Sequence, residues 1–145
     1  MPDGKTIYCV YPLGHGRPSA VLCRSDDGGM SWTDPLPVPK NWITASNCPA
    51  LYRFVGPDSI ERLFIFEGEG KMRQAMSVDA GQTWTPFEEN SLKTTMPFTS
   101  ILEISQDRLL GAWNRDGATF LSISENGGLT WGPERMLLTS GGEIS

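Results

Sequence analysis

Three segments of this 145-residue chain share one chemistry-bearing spelling. Ser25-Asp26-Asp27-Gly28-Gly29-Met30-Ser31-Trp32, Ser77-Val78-Asp79-Ala80-Gly81-Gln82-Thr83-Trp84 and Ser124-Glu125-Asn126-Gly127-Gly128-Leu129-Thr130-Trp131 each read Ser-x-Asp/Asn-x-Gly-x-Ser/Thr-Trp. A repeated carboxylate suits two kinds of work. It can ligate a metal or move a proton, or it can clip a turn by accepting backbone N–H groups. Asn126 favours the clip, because an amide replaces a carboxylate as a turn acceptor but not as a catalytic acid. In this reading Ser25, Ser77 and Ser124 open the turn. Gly29, Gly81 and Gly128 supply its positive φ, and Trp32, Trp84 and Trp131 fill the gap between neighbouring sheets.

The thiols carry less information. Cys9, Cys23 and Cys48 are odd in number and lack the paired spacing of a zinc site or a redox motif. They read as free, mostly buried thiols; two of them could pair in an oxidising compartment, and the spacing does not choose which. No metal cage or nucleotide loop is visible, the Gly-Gly pairs belonging to the repeated turns, so neither metal nor cofactor is expected.

The elements that position these turns follow from spacing. The three segments begin 52 and 47 residues apart. Pro49-Ala50-Leu51-Tyr52 and Pro97-Phe98-Thr99-Ser100 stand 28 and 27 residues before the second and third of them. Apolar runs lie between, at Leu63–Phe66 and Leu109–Trp113. Others enter the turn at Arg73–Met76 and Thr119–Ile123, and one leaves it at Arg135–Leu138. Short runs bounded by turn signals are strands, and no stretch keeps a helical period for ten residues. Each repeat is therefore expected to be a meander of four antiparallel strands, A to D, the pattern of a β-propeller blade. The expected blades are residues 3–39, 47–88 and 96–139. The first begins at its A-to-B turn and lacks strand A, so eleven strands are expected. Unpaired sheet edges invite pairing. Either a homodimer completes a ring by symmetry, or the chain is a fragment of a longer one.

Composition bounds the partners. With 12 Lys+Arg against 17 Asp+Glu the formal charge is -5, which argues against nucleic acid or an anionic membrane as the main partner. An apolar share of 39% with 20% charged residues is globular, and 16 glycines with 11 prolines suit a turn-rich all-β chain. No run approaches the roughly 20 apolar residues of a membrane helix, and Met1–Lys5 does not open a signal peptide. A soluble protein is expected, its compartment unassigned.

The three turns resemble the Asp boxes, or BNR repeats, of the sialidase (neuraminidase)-like β-propellers, and the resemblance runs from Asp3 to about Thr139. It implies about three blades of a six-bladed propeller, a carbohydrate ligand and an exo-sialidase-like glycoside hydrolase. Family chemistry needs an arginine cluster for the substrate carboxylate, an acid for the leaving oxygen, and a tyrosine backed by a glutamate as nucleophile. Here the family's Phe-Arg-Ile-Pro stretch would fall in the absent strand A. The loop Leu13–Arg17 has no Asp where the family keeps its acid, and the tyrosine and its glutamate belong to later blades. The catalytic set implied is incomplete, so a single chain is expected to be inactive. The alternative is a non-enzymatic propeller that binds a glycan or a protein.

In a meander the B-to-C and D-to-A loops share one rim, opposite the repeated turns. That rim carries the candidate residues: Arg17, Arg73 and Arg115 as a carboxylate clamp, Trp42 as a platform for a sugar ring, and Glu67, Glu69, Asp116 and His15 as acids or bases. Loops on a rigid β scaffold are where such groups usually act.

Overall fold

The computed structural model describes residues 1–14, 17–46 and 48–138. The expected candidate His15, with Asn47 and Thr139 at the expected blade limits, lies outside the described residues. Ten strands are described: β1 (Ile7–Tyr11), β2 (Val21–Ser25), β3 (Ala50–Val55), β4 (Glu61–Glu67), β5 (Gly70–Ser77), β6 (Glu88–Thr94), β7 (Ser100–Glu103), β8 (Leu109–Arg115), β9 (Ala118–Ser124) and β10 (Arg135–Leu138). A short 3₁₀ helix covers Lys40–Thr44. Neighbouring strands pair antiparallel in chain order, giving three open sheets, β1-β2, β3-β4-β5-β6 and β7-β8-β9-β10. The fold is all-β and consistent with part of a propeller.

The first sheet differs from the expectation. Its fourth strand, placed after the first repeated turn, does not form. Two backbone bonds start the pairing, Thr33 N–H to Arg24 O (2.9 Å) and Leu36 N–H to Leu22 O (2.8 Å). Pro35, Pro37 and Pro39 then recur at every second position, alternating with Leu36, and each ring holds φ near roughly −65°, far from the roughly −140° of an antiparallel strand. The alternating prolines leave an extended segment where the other two sheets carry a strand.

Strand β4 shows how the sheets hold together. Its apolar run Leu63-Phe64-Ile65-Phe66 is buried throughout, as a strand covered on both faces must be. Side chains alternate across the sheet. Phe64 and Phe66 enter a core with Leu109 and Trp113 of the third sheet and with Phe98 and Trp131 from the segments that flank its strands. Ile65 enters a second core with Leu22, Trp42 and Phe87, against which Tyr8 and Val10 of the first sheet pack. Each such side chain contributes about 1.5–3 kcal/mol on burial. Close approach between sheets sets one glycine: a Cβ at Gly81 would collide with the ring of Tyr8, whose hydroxyl donates to Ala80 O at 2.9 Å.

Among the described residues no helix is long and apolar enough to cross a membrane.

Candidate functional site

The repeated turns are built by the same bonds. In the second copy Ser77 Oγ donates to Asp79 Oδ1 (2.8 Å) and accepts from Gly81 N–H (2.9 Å). Asp79 accepts from Thr83 N–H (2.9 Å) and Thr83 Oγ1 (2.6 Å). Asp27 has the same partners in Ser25 and Ser31. Hydrogen bonds from the Ser31 and Thr83 hydroxyls, then from their backbone N–H groups, hold both carboxyls at about 2. In the third copy the last side-chain bond reverses: Asn126 Nδ2 donates to Thr130 Oγ1 at 2.8 Å, while Asn126 Oδ1 still accepts from Thr130 N–H at 2.9 Å. The two carboxylates thus have their lone pairs turned into the turn itself. Among the described residues no group of three or more His, Cys, Asp or Glu stands together as a metal site.

On the opposite rim, the β4–β5 hairpin and the 3₁₀ segment enclose a polar cleft of about 540 Å³ lined by Thr44, Ser46, Glu69, Gly70, Lys71, Arg73 and Glu89. The hairpin is tight because Gly68 lies where a Cβ would strike the Lys71 backbone. It ends β4 at Glu67, whose side chain is fully buried. Ser46 donates to Glu67 Oε2 from its N–H (2.8 Å) and its Oγ (3.4 Å), and Arg73 Nε pairs with Glu67 Oε1. Burial pushes the Glu67 carboxyl above its ordinary value; the Arg73 and Ser46 bonds oppose that rise without cancelling it. The other end of the guanidinium is fixed by Thr44, through its carbonyl (2.8 Å) and its Oγ1 (3.2 Å). Its face lies over Phe87 at 5.7 Å. At the open edge of the cleft Lys71 Nζ pairs with Glu89 Oε2 at 2.6 Å, and Glu69 is exposed.

Glu67, Glu69 and Arg73 therefore come together at one cleft. The remaining candidates stand elsewhere. Arg115 Nη1 donates to Glu134 Oε2 (2.6 Å) and Lys93 O (3.0 Å), and its guanidinium stacks 4.0 Å above Phe120. Asp116 is exposed in the two-residue β8–β9 turn, where it and Gly117 both have positive φ (52° and 79°), the conformation an Asp-Gly hairpin favours. Arg17 is exposed, its N–H closing a turn onto Gly14 O at 3.1 Å.

Trp42 is a correction. Expected as a stacking platform, it is completely buried, edge-on to Trp84 at 5.5 Å and tilted over Phe87 at 5.0 Å, with its indole N–H donated to Thr85 O at 3.2 Å. Neighbouring Asn41 locks the segment by accepting from Phe87 N–H (3.1 Å) and donating to Phe87 O (2.9 Å). Both rings of the tryptophan are in the core, and no sugar reaches them.

Thr44, Ser46, Lys71 and Glu89 also line the cleft. Their signal was position: all lie in or beside the D-to-A and B-to-C connections.

No family model matches the chain. It is similar to a protein named sialidase from Bacteroides fragilis (strain YCH46), 26% identical over 156 aligned positions that take in 98% of this chain. The chain spans 28% of that relative's length. This likeness supports a distant sialidase-like relationship.

Proposed function

We propose that the chain is part of a sialidase-like propeller that acts on or binds sugars, and that the cleft over Glu67 and Arg73 is where a sugar is held. The observation that carries this reading is the convergence of hydroxyl, carboxylate and cationic groups at the β4–β5 rim. The similarity to a protein named sialidase over nearly the whole chain supports it. Sugar hydroxyls both donate and accept. Glu69 and Glu89 offer acceptors, Lys71 and Arg73 offer donors, and Ser46 and Thr44 offer hydroxyls. Glu67, fixed by Ser46, positions the Arg73 guanidinium.

Between enzyme and binding module, binding is favoured for the chain by itself. Retaining hydrolysis of sialosides needs an acid and a nucleophile on either side of one bond, and the cleft has no tyrosine among its lining residues. Arg73 and Arg115 are each already paired with a carboxylate, Glu67 and Glu134, so a three-arginine clamp with Arg17 is not supported. A glycan array probed with the chain, alongside a fluorogenic sialoside assay from mildly acidic to neutral pH, tests this. Selective glycan binding that Arg73→Ala abolishes, without turnover, is expected. Silence on the array would remove the reading, and turnover by the chain alone would replace binding with catalysis.

A further inference from the structure

Of the three cysteines, two face each other. Cys9 on β1 and Cys23 on β2 are directly opposed in the antiparallel ladder. Directly opposed residues keep their Cα atoms about 4.5–5.5 Å apart with both Cβ atoms on one face. That separation lies inside the span of about 4.4–6.8 Å that a disulfide bridges without backbone movement. The thiols share the face turned away from the second sheet, since Tyr8 and Val10, which alternate with Cys9, pack against the second sheet. Tyr11, on the face of Cys9, brings its hydroxyl to 3.6 Å from the Cys23 sulfur, so that sulfur points to the same side. Cys9 is exposed and Cys23 is buried. Cys48 belongs to neither strand.

We infer that Cys9 and Cys23 are a modification site, forming a cross-strand disulfide on exchange with a low-molecular-weight disulfide such as oxidised glutathione. The exposed Cys9 thiolate attacks one sulfur of the oxidant. The oxidant's S–S bond breaks, one glutathione thiolate leaves, and a mixed disulfide forms on Cys9. The Cys23 thiolate then attacks the Cys9 sulfur and releases the second glutathione. The two cysteine protons end on the two released thiols; the protein is oxidised by two electrons and the oxidant reduced by two. The bond ties together the sheet most in need of it. A two-stranded ribbon is marginal by itself, and among the described residues the first sheet consists of β1 and β2.

The test equilibrates the whole chain in glutathione buffers from reducing to oxidising, then alkylates it and measures intact mass and tryptic peptides. Trypsin spares the Arg17-Pro18 bond, so Thr6–Arg24 carries Cys9 and Cys23 while Asn41–Arg53 carries Cys48. Oxidation is expected to make Thr6–Arg24 about 2 Da lighter than its reduced form and refractory to alkylation, with Cys48 still alkylated. The melting midpoint should rise by roughly 5–10 °C. Cys48→Ser should keep both effects, and Cys9→Ser and Cys23→Ser, each checked for folding by circular dichroism, should lose both. A bridge that includes Cys48, a glutathione adduct on Cys9 that never resolves, or full alkylation of Thr6–Arg24 in oxidising buffer would each overturn the inference.

Discussion

The first and third repeated turns have nearly the same internal bonds and opposite surroundings. Ser25 Oγ and Ser124 Oγ each accept from the turn glycine, at 2.8 and 2.9 Å, and Ser31 N–H and Thr130 N–H each reach the Asp/Asn side chain at 2.9 Å. Yet Trp131 is 6% exposed, 4.4 Å from Phe98 and 6.0 Å from Phe66, whereas Trp32 is 45% exposed. The second turn stands between them, with Trp84 half-buried against Trp42. Folding of the turn is thus local, settled within eight residues, while the worth of its tryptophan depends on whether another sheet lies beside it. A Cβ at Gly128 would press on Phe64 of the second sheet, whereas one at Gly29 would meet Ile7 and Trp32 of its own.

That contrast can be broken by substitution. Trp131→Ala should have the largest effect, about 3–5 kcal/mol by chemical denaturation, since it opens a cavity beside the rings of Phe66 and Phe98. Trp84→Ala should cost about half as much, its ring being only partly buried. The carboxylate copies separate from the amide copy in acid. Asp27 and Asp79 sit at about 2 in the folded chain against an ordinary 3.8. Their bonds therefore favour folding above 3.8 and lose that contribution as pH falls toward about 2. Asp79→Asn should flatten part of the stability decline in that range, which melting at stepped pH would detect; an unchanged slope would refute the turn bonds. Trp32→Ala should be the mildest, within about 0.5 kcal/mol. Equal losses at Trp32 and Trp131 would mean that the turn, not the neighbouring sheet, uses the ring.

Much of the architecture was legible because it is written locally. Proline, glycine and the Ser-x-Asp/Asn-x-Gly-x-Ser/Thr-Trp spelling mark the turns, and the runs between them mark the strands of the second and third sheets. The failed fourth strand of the first sheet was also written there, in Pro35, Pro37 and Pro39, since each ring fixes φ away from the antiparallel-strand value. Burial was harder to read. Trp42 and Glu67 each sit at the edge of a loop, where a one-dimensional pattern does not tell a core position from a rim position. Glu67 directly continues the run Phe64-Ile65-Phe66, and a strand covered on both faces carries its last residue inward too. The pairing of Glu67 with Arg73 has the hairpin register as its cause, because the two residues are opposed across β4 and β5. The grip of Thr44 on the same guanidinium crosses 29 positions of sequence, and no periodicity encodes it.

The cleft over Glu67 and Arg73 is proposed to hold a sugar. This is tested most directly by following backbone amide and arginine side-chain NMR signals as the chain is titrated with sialyllactose and with lactose. Saturable shifts at Thr44, Ser46, Glu69–Arg73 and Glu89 are expected with at least one sugar, and Arg73→Ala should lose them. Saturable shifts confined to the repeated turns at Asp27, Asp79 and Asn126, or none with either sugar, would contradict it.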